Sequence, residues 1–352
     1  MDEYSIMKKL ILLLLAVIFV VIALGFWVIW ENPEKLANRV ILKQINTINE
    51  QAEKYVTEQG MIVYTIGTST PLPGKRAQTC TAIFIDGKFF LFDIGYSSVA
   101  KLEQFGFPLD KIEALFITHW HSDHFMDLPY LINRSWQRGR QQALHVYAPE
   151  GVDSILNGIR EMLHIERQHR LNHHGAKIMN PELAGTVAHS ISVPKRGSQL
   201  AYSKDGIVIT AFDVCHEPVS PDFGYTIEYK GKKIVLSGDT KKCEQVFKYA
   251  QGADMLIHEA MLLDMMQRAS DIQSELGDHR NATILEDVID YHTSPRQAAE
   301  IAEAAGVKKL VLNHLGPTPD NIVISRLYRK DIGNAFKGPI FLANDGDKFI
   351  VE

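Results

Sequence analysis

Four side chains of metal-ligand type fall within six positions: His119, His121, Asp123 and His124, in the segment IEALFITHWHSDHFMDLP. Zinc takes nitrogen, oxygen or thiolate ligands, and holds them well only where rigid elements fix their positions. The apolar run 114–118 reads as a strand that leads straight into His119. In extended backbone, His119 and His121 then point to the same side. Asp123 and His124 follow where the chain turns into a helix, offset from the first pair. One short loop can therefore serve two neighbouring ions. Chance histidines on an exposed loop would be the plainer explanation. Three further ligand-type residues, at the ends of later apolar runs, argue against it. His216 follows 207–214, Asp239 in LSGDT follows 233–237, and His314 in LVLNHLGP follows 309–313. Alone, each would read as a hydrogen-bonded core residue; strand ends are where such side chains converge on one site.

The elements that must position these residues are short apolar runs separated by turn signals. Runs at 61–67, 81–85, 89–92, 114–118, 144–148, 207–214, 225–229, 233–237, 255–258, 309–313 and 340–343 read as strands. Helical patterns occupy 99–105, 152–163 and 294–305, the last with a start in Ser294-Pro295 and a stop in Gly306. There is no tandem repeat. Hairpin-like strands with helices among them predict an α/β fold of two sheets packed face to face, covered by helices, around one core.

The first residues carry a different signal. The run 10–30, LILLLLAVIFVVIALGFWVIW, has no charge and no proline. At 1.5 Å per residue it spans roughly 31 Å, the thickness of a bilayer core. Lys8 and Lys9 precede it, and Trp27 and Trp30 stand at its far end, where interfacial aromatics belong. A cleaved signal peptide is the alternative, but its apolar core is shorter and its cut follows small residues, which IWENPEK does not offer. We expect a leading segment 1–9, a retained transmembrane helix 10–30, an amphipathic linker helix 31–60 carrying Leu36, Val40, Ile41, Ile45 and Ile48, and a catalytic domain 61–352. A short leading end inside the cell would make this a single-pass membrane protein with its domain periplasmic or otherwise extracytoplasmic.

Of the 352 residues, 46% are apolar and 22% charged, an ordinary globular balance. The net charge of −5 lacks the basic excess usual for nucleic-acid binding, so nucleic acid is not an expected partner. Cys80, Cys215 and Cys243 show no CxxC spacing and are read as three buried free thiols. A single disulfide is the alternative in an oxidising compartment.

The order His-x-His-x-Asp-His, then His, then Gly-Asp, then His resembles the metallo-β-lactamase superfamily of hydrolases. The similarity is greatest to its ribonuclease Z and arylsulfatase-like branch, through IGTSTPLPGKRAQTCTAIFI, FLFDIG, FITHWHSDHFMDLP, CHEPVSPDFGYTIEY, IVLSGDT, LIHEA and YHTSPRQAAEIA. The resemblance implies an αββα four-layer sandwich with two Zn2+ ions per chain, manganese or iron being alternatives. His119, His121 and His216 would hold one ion, Asp123, His124 and His314 the other, and Asp239 would bridge them. Asp123 would also orient the attacking water. His292, in YHTSP, would act beside the leaving group, oriented by Glu259 in HEA. A helix-start histidine at the surface is the plainer reading of His292.

Asp93 in FDIG could support the metal loop or simply form a turn. His258 reads as structural. The stretch Arg160–His174, ending HIERQHRLNHH, could line a pocket but reads better as an exposed polar helix. Trp136 and Arg138 could border the pocket. The expected activity is hydrolysis of a small anionic ester, a sulfate ester or phosphodiester, by metal-bound hydroxide. The alternative is a ribonuclease Z-like tRNA 3′ endonuclease. Those enzymes resemble one another in a long basic arm between the third histidine and the bridging aspartate, and here only 22 residues separate His216 from Asp239. A third possibility, a membrane-tethered metal-binding protein without turnover, is disfavoured by the intact ligand set with His292 and Glu259. Expected partners are the ester substrate, the membrane through the N-terminal helix, and a second copy in a homodimer.

Overall fold

Strands that are covered on both faces show no polar alternation. MIVYTIG, CTAIFI and LVLNHLG are buried at every position, so each must lie inside a layered stack. The computed structural model describes residues 3–72, 74–330 and 332–351; Met1 and Asp2 of the expected leading segment lie outside them. The described strands are β1 (Met61–Gly67), β2 (Cys80–Ile85), β3 (Lys88–Phe92), β4 (Ile112–Phe116), β5 (Leu144–Pro149), β6 (Thr186–Ile191) and β7 (Ser198–Lys204). They continue with β8 (Ile207–Asp213), β9 (Phe223–Tyr229), β10 (Lys232–Leu236), β11 (Met255–Met261), β12 (Leu310–Gly316), β13 (Ile340–Leu342) and β14 (Asp347–Val351). One sheet runs β14-β1-β2-β3-β4-β5-β6 and the other β13-β12-β11-β10-β9-β8-β7.

Both sheets are mixed. Strands adjacent in the chain give most antiparallel pairs, β1/β14 being the exception that joins the two ends of the domain. The parallel pairs β3/β4, β4/β5, β5/β6, β10/β11, β11/β12 and β12/β13 need crossovers. Helices make these crossovers. The helices are α1 (Glu3–Glu31), α2 (Pro33–Thr57), α3 (Ser98–Gln104), α4 (Ser122–Phe125), α5 (Leu128–Gln137) and α6 (Val152–Met162). After them come α7 (His164–His174), α8 (Glu244–Ala250), α9 (Leu263–Glu275), α10 (His279–Asp287), α11 (Pro295–Ala304) and α12 (Ile322–Arg329). Leu128, Leu131 and Ile132 of α5 and Val152 of α6 cover the outside of the first sheet. Ala298, Ala299 and Ala302 of α11 cover the second. Between the sheets lie Phe90, Phe92, Phe116 and Tyr225, with the Phe92 and Phe116 rings stacked at 5.0 Å. The expected αββα sandwich is therefore present.

α11 shows how local sequence sets an element. Ser294 caps it, accepting from the Gln297 N–H, while the Gln297 side chain accepts from the Ser294 N–H. This reciprocal cap satisfies donors the helix cannot pair itself. Elsewhere the structure extends the reading. β6 and β7, both edge strands, carry too little burial alternation to stand out. β12 runs on to Gly316, so His314 lies within a strand. The three-free-thiol reading is wrong: Cys215 and Cys243 form a disulfide, and only Cys80 is free and buried. Cys215 ends the β8 arm and Cys243 begins α8, neighbours that sequence separation hides.

Residues 1–54 form a unit separate from Tyr55–Glu352. In the former, α1 contains the candidate span Ile6–Trp27, the one described helix long and apolar enough to cross a membrane, and the side chains of that span are exposed. Val40, Ile41, Ile45 and Ile48 of α2 are exposed as well. In the latter, Tyr55 stacks on Phe107 at 4.3 Å.

Candidate metal centre

The centre forms where β3, β4, β8, β10 and β12 end or bend. β3 ends at Phe92, and Asp93 follows in left-handed backbone, φ +57. From there its carboxylate accepts the Thr118 N–H at 2.8 Å and the Thr118 hydroxyl at 3.0 Å, fixing the end of the β4 arm. Its Oδ2 also lies 2.9 Å from His124 Nδ1, which turns His124 Nε2 the other way. Gly95 lies so near the metal loop that a Cβ there would be 2.0 Å from the Asp123 carbonyl oxygen, so only glycine fits.

β12 contributes His314 through an irregularity. Glu259 of β11 pairs with Asn313 and Ala260 with Leu315, leaving His314 as an extra residue at φ +46. Such a bulge re-aims one side chain out of the strand's alternation. His314 Nε2 comes to 3.0 Å from Asp123 Oδ2 and 3.5 Å from Asp239 Oδ2. His216, beyond β8, donates its Nδ1–H to the Tyr291 carbonyl at 3.1 Å, which leaves Nε2 free of a proton and turned the other way.

Four groupings result in which potential ligand atoms lie within 4.8 Å of one another. They are His119, His121 and His216; Asp123, His124 and His314; His119, His124 and Asp239; and Asp239, His292 and His314. All seven sequence-predicted ligands are thus brought together, and His292 lies in reach as well. The unsatisfied atoms of the donor set are what a metal would complete. Nε2 of His119, His124 and His216 and Nδ1 of His314 are buried without hydrogen-bond partners. Leaving a buried polar atom unpaired costs about 1–3 kcal/mol, so such a cluster calls for a ligand. A divalent ion fits.

The electrostatics agree. Burial, with His124 nearby, holds the His119 imidazole well below its ordinary pKa, and burial brings His216 down to about 4. Neutral imidazoles are what a metal binds. For Asp123 and Asp239 burial works towards the protonated form, but the neighbouring histidines outweigh it and keep both carboxyls low. Burial also opposes charge on His124, yet Asp239, Asp123 and Asp93 outweigh it and raise its pKa.

His292 is buried, with Nδ1 3.0 Å from Glu259 Oε1. The same oxygen accepts the N–H groups of Thr293 at 3.0 Å and Thr240 at 3.2 Å. Burial lowers the His292 pKa, and Glu259 more than reverses this. His258 is fully buried, bonded through Nδ1 to the Glu259 carbonyl, and belongs to none of the ligand groupings. The four histidines of α7 are exposed. Trp136 is buried with its indole N–H on the Asn180 carbonyl, and Arg138 pairs with Glu103, so both are engaged away from the cluster.

One residue escaped the sequence reading. Asp222, just before β9, is 2% exposed, with Oδ2 3.4 Å from His119 Nδ1 and 4.0 Å from His216 Nε2. Burial, with Asp239 adding to it, pushes its carboxyl well above the usual range. The only sequence signal was an acidic residue abutting an apolar strand, which many turns share.

Residues 90–315 match the family model described as "Beta-lactamase superfamily domain". Ribonuclease Z of Mycolicibacterium gilvum is 30% identical over 257 residues, 72% of this chain and 83% of that protein. Ribonuclease Z of Methanothermobacter thermautotrophicus is 30% identical over 282 residues, 72% of this chain and 86% of that protein. The crystal structure of human tRNase Z, short form, shares the fold at a TM-score of 0.59 and 23% identity, covering 83% of this chain and 99% of that one. These relatives overturn the expectation that nucleic acid is no partner and that the substrate is a small anionic ester. Net charge misled because it sums the whole surface, whereas a polyanion meets only the part around the site. The His/Asp cluster and these relatives identify a metal-dependent hydrolase of ester or phosphodiester bonds, and the chain belongs to the ribonuclease Z branch of the metallo-β-lactamase superfamily.

Proposed function

We propose that the protein is a ribonuclease Z-like phosphodiesterase that cleaves RNA, with tRNA 3′ ends as the reference substrate. The observation that carries this is the complete buried ligand cluster in a chain 30% identical to ribonuclease Z over most of its domain. His119, His121 and His216 would hold one zinc ion and Asp123, His124 and His314 a second, with Asp239 grouped with ligands of both sets. Ions bound there would supply a water of lowered pKa and polarise the phosphoryl oxygen. Asp123 orients the incoming water. His292, its Nδ1 held by Glu259, donates a proton from Nε2 to the departing oxygen. Glu259 keeps that imidazole protonated and in the right tautomer. Between His216 and Asp239 the chain forms only β9 and β10, with no long basic arm.

α1 anchors the enzyme in a membrane: the 22 residues Ile6–Trp27, apolar from Leu10 onward, reach roughly 33 Å. The disulfide favours placement of the domain on the oxidising side. The test uses the full chain in detergent, zinc-loaded, on a tRNA precursor with a 3′ trailer and on an unstructured oligoribonucleotide. Cleavage of either RNA, abolished by chelator and restored by zinc, is expected. Zinc-loaded protein that cuts neither RNA would sink this reading. Protease access to the domain in intact cells tests the orientation.

A further inference from the structure

Asp222 is buried at the meeting point of three ligand-bearing segments, and neither of its carboxyl oxygens has a hydrogen-bond partner. Its position is fixed by backbone. The Phe223 N–H donates to the Thr118 carbonyl at 3.2 Å, tying Asp222 to the residue just before His119. The Val214 N–H donates to the Asp222 carbonyl at 3.4 Å, tying it to the arm that carries His216. Gly238, beside Asp239, closes over it: at φ +64, a Cβ there would lie 2.4 Å from the Phe223 carbonyl oxygen and 3.2 Å from Asp222 Oδ1. The carboxyl therefore cannot turn to solvent, and burying it unpaired is costly unless a partner arrives.

We propose that Asp222 is a positioning residue for the metal centre, the acceptor that holds the His119 ring with Nε2 turned into the ligand cluster. The inference rests on the metal-centre reading above. The approach geometry supports orientation over ligation. Oδ2 comes nearest, at 3.4 Å, to Nδ1 of His119, the nitrogen facing away from the cluster. It stands farther, at 4.0 Å, from His216 Nε2, which faces into it. The Thr118 hydroxyl, 3.0 Å from His119 Nδ1, is the competing acceptor. The Thr118 hydroxyl is already shared with Asp93 and His124 Nδ1, whereas both Asp222 oxygens are unclaimed, and a short ring shift brings Nδ1–H onto Oδ2. A carboxylate behind a ligating histidine fixes its tautomer and strengthens it as a ligand, and losing such a partner typically weakens metal binding by about 10–100-fold.

The experiment measures zinc affinity by chelator competition, zinc stoichiometry at saturation, and metal-free melting temperature. It compares the full chain with Asp222→Ala and the nearly isosteric Asp222→Asn. For Asp222→Ala we expect zinc binding weakened by about 10–100-fold at unchanged stoichiometry, with a metal-free melting temperature equal to or above the parent's. A structural residue would lower that temperature, and such a drop in both variants overturns the proposal. Affinity within twofold of the parent in both variants also overturns it. Loss of a whole zinc equivalent at saturation would make Asp222 a ligand and overturn it too. If the parent chain itself takes up no zinc, the metal-centre reading fails instead, which is a separate result.

Discussion

Two segments of this protein are rich in histidine, and they have opposite fates. His119, His121 and His124 are packed with carboxylates at the end of the β4 arm, and three of the centre's imidazoles have a buried, unpartnered Nε2. His164, His169, His173 and His174 lie along α7, which buries none of its residues. Number and spacing of histidines are therefore weak guides. The difference lies in what surrounds each ring. At the centre one ring nitrogen is committed to Asp93, Thr118 or the Tyr291 carbonyl, which aims the other inward. On α7 no described hydrogen bond to a carboxylate or carbonyl fixes a ring, and the exposed nitrogens are open to solvent.

The sharpest contrast comes from removing one ligand. Asp239→Ala should abolish zinc retention and lower turnover by about 10³-fold or more, since metal stabilisation is worth several kcal/mol; metal analysis and RNA cleavage check both. His292→Ala should cut turnover by about 10²–10⁴-fold while zinc content stays at the parent level, which separates proton transfer from metal binding. Asp93→Asn loses the carboxylate behind His124 and should weaken zinc binding by roughly 10–100-fold in chelator competition.

Glu259→Gln should act mainly on the pH profile. Glu259 raises the His292 pKa above its ordinary value of 6.5. The protonated, active form then persists to higher pH, and activity is lost as pH rises through that raised value. Without the carboxylate, the alkaline limb of the kcat profile should move to lower pH. The same sign holds for stability: the pair stabilises the fold below the unfolded-state pKa, and this is lost as pH rises through the folded one. The smallest effect belongs to α7. Replacing His169, His173 and His174 together by alanine should leave zinc stoichiometry unchanged and stability within about 0.5 kcal/mol per site. Loss of zinc in that variant would erase the contrast.

The sequence shows most where burial is complete. β1, β2 and β11 announce themselves as apolar runs, and the ligand-type residues stand at the ends of such runs or of their neighbours. It shows least where placement depends on tertiary context. Nothing local marks His314 as the extra residue of a bulge, because that is a relation between β11 and β12. The helices α9 and α10 between Glu259 and His292 went unread. Ile272 and Ile284 stay exposed, and α9 and α10 bury only Met266, Ser270 and Ala282, too few for a buried stripe to shape the pattern. Asp222 is invisible for the same reason as His314: its value lies in the loops that close over it. Net charge was legible and still gave the wrong partner.

The Cys215–Cys243 bridge has a practical side. It joins the residue before His216 to the segment four residues past Asp239 and closes a loop spanning 28 positions. In the chain-entropy picture such a crosslink stabilises the fold by roughly 3–4 kcal/mol. Reduced, the two loops would be held by the Lys241 N–H on the Cys215 carbonyl at 3.0 Å and the Cys215 N–H on the Thr240 hydroxyl at 3.1 Å. Protein prepared with dithiothreitol and protein prepared without it are therefore different molecules at the metal centre, and zinc titrations of the two should be kept apart.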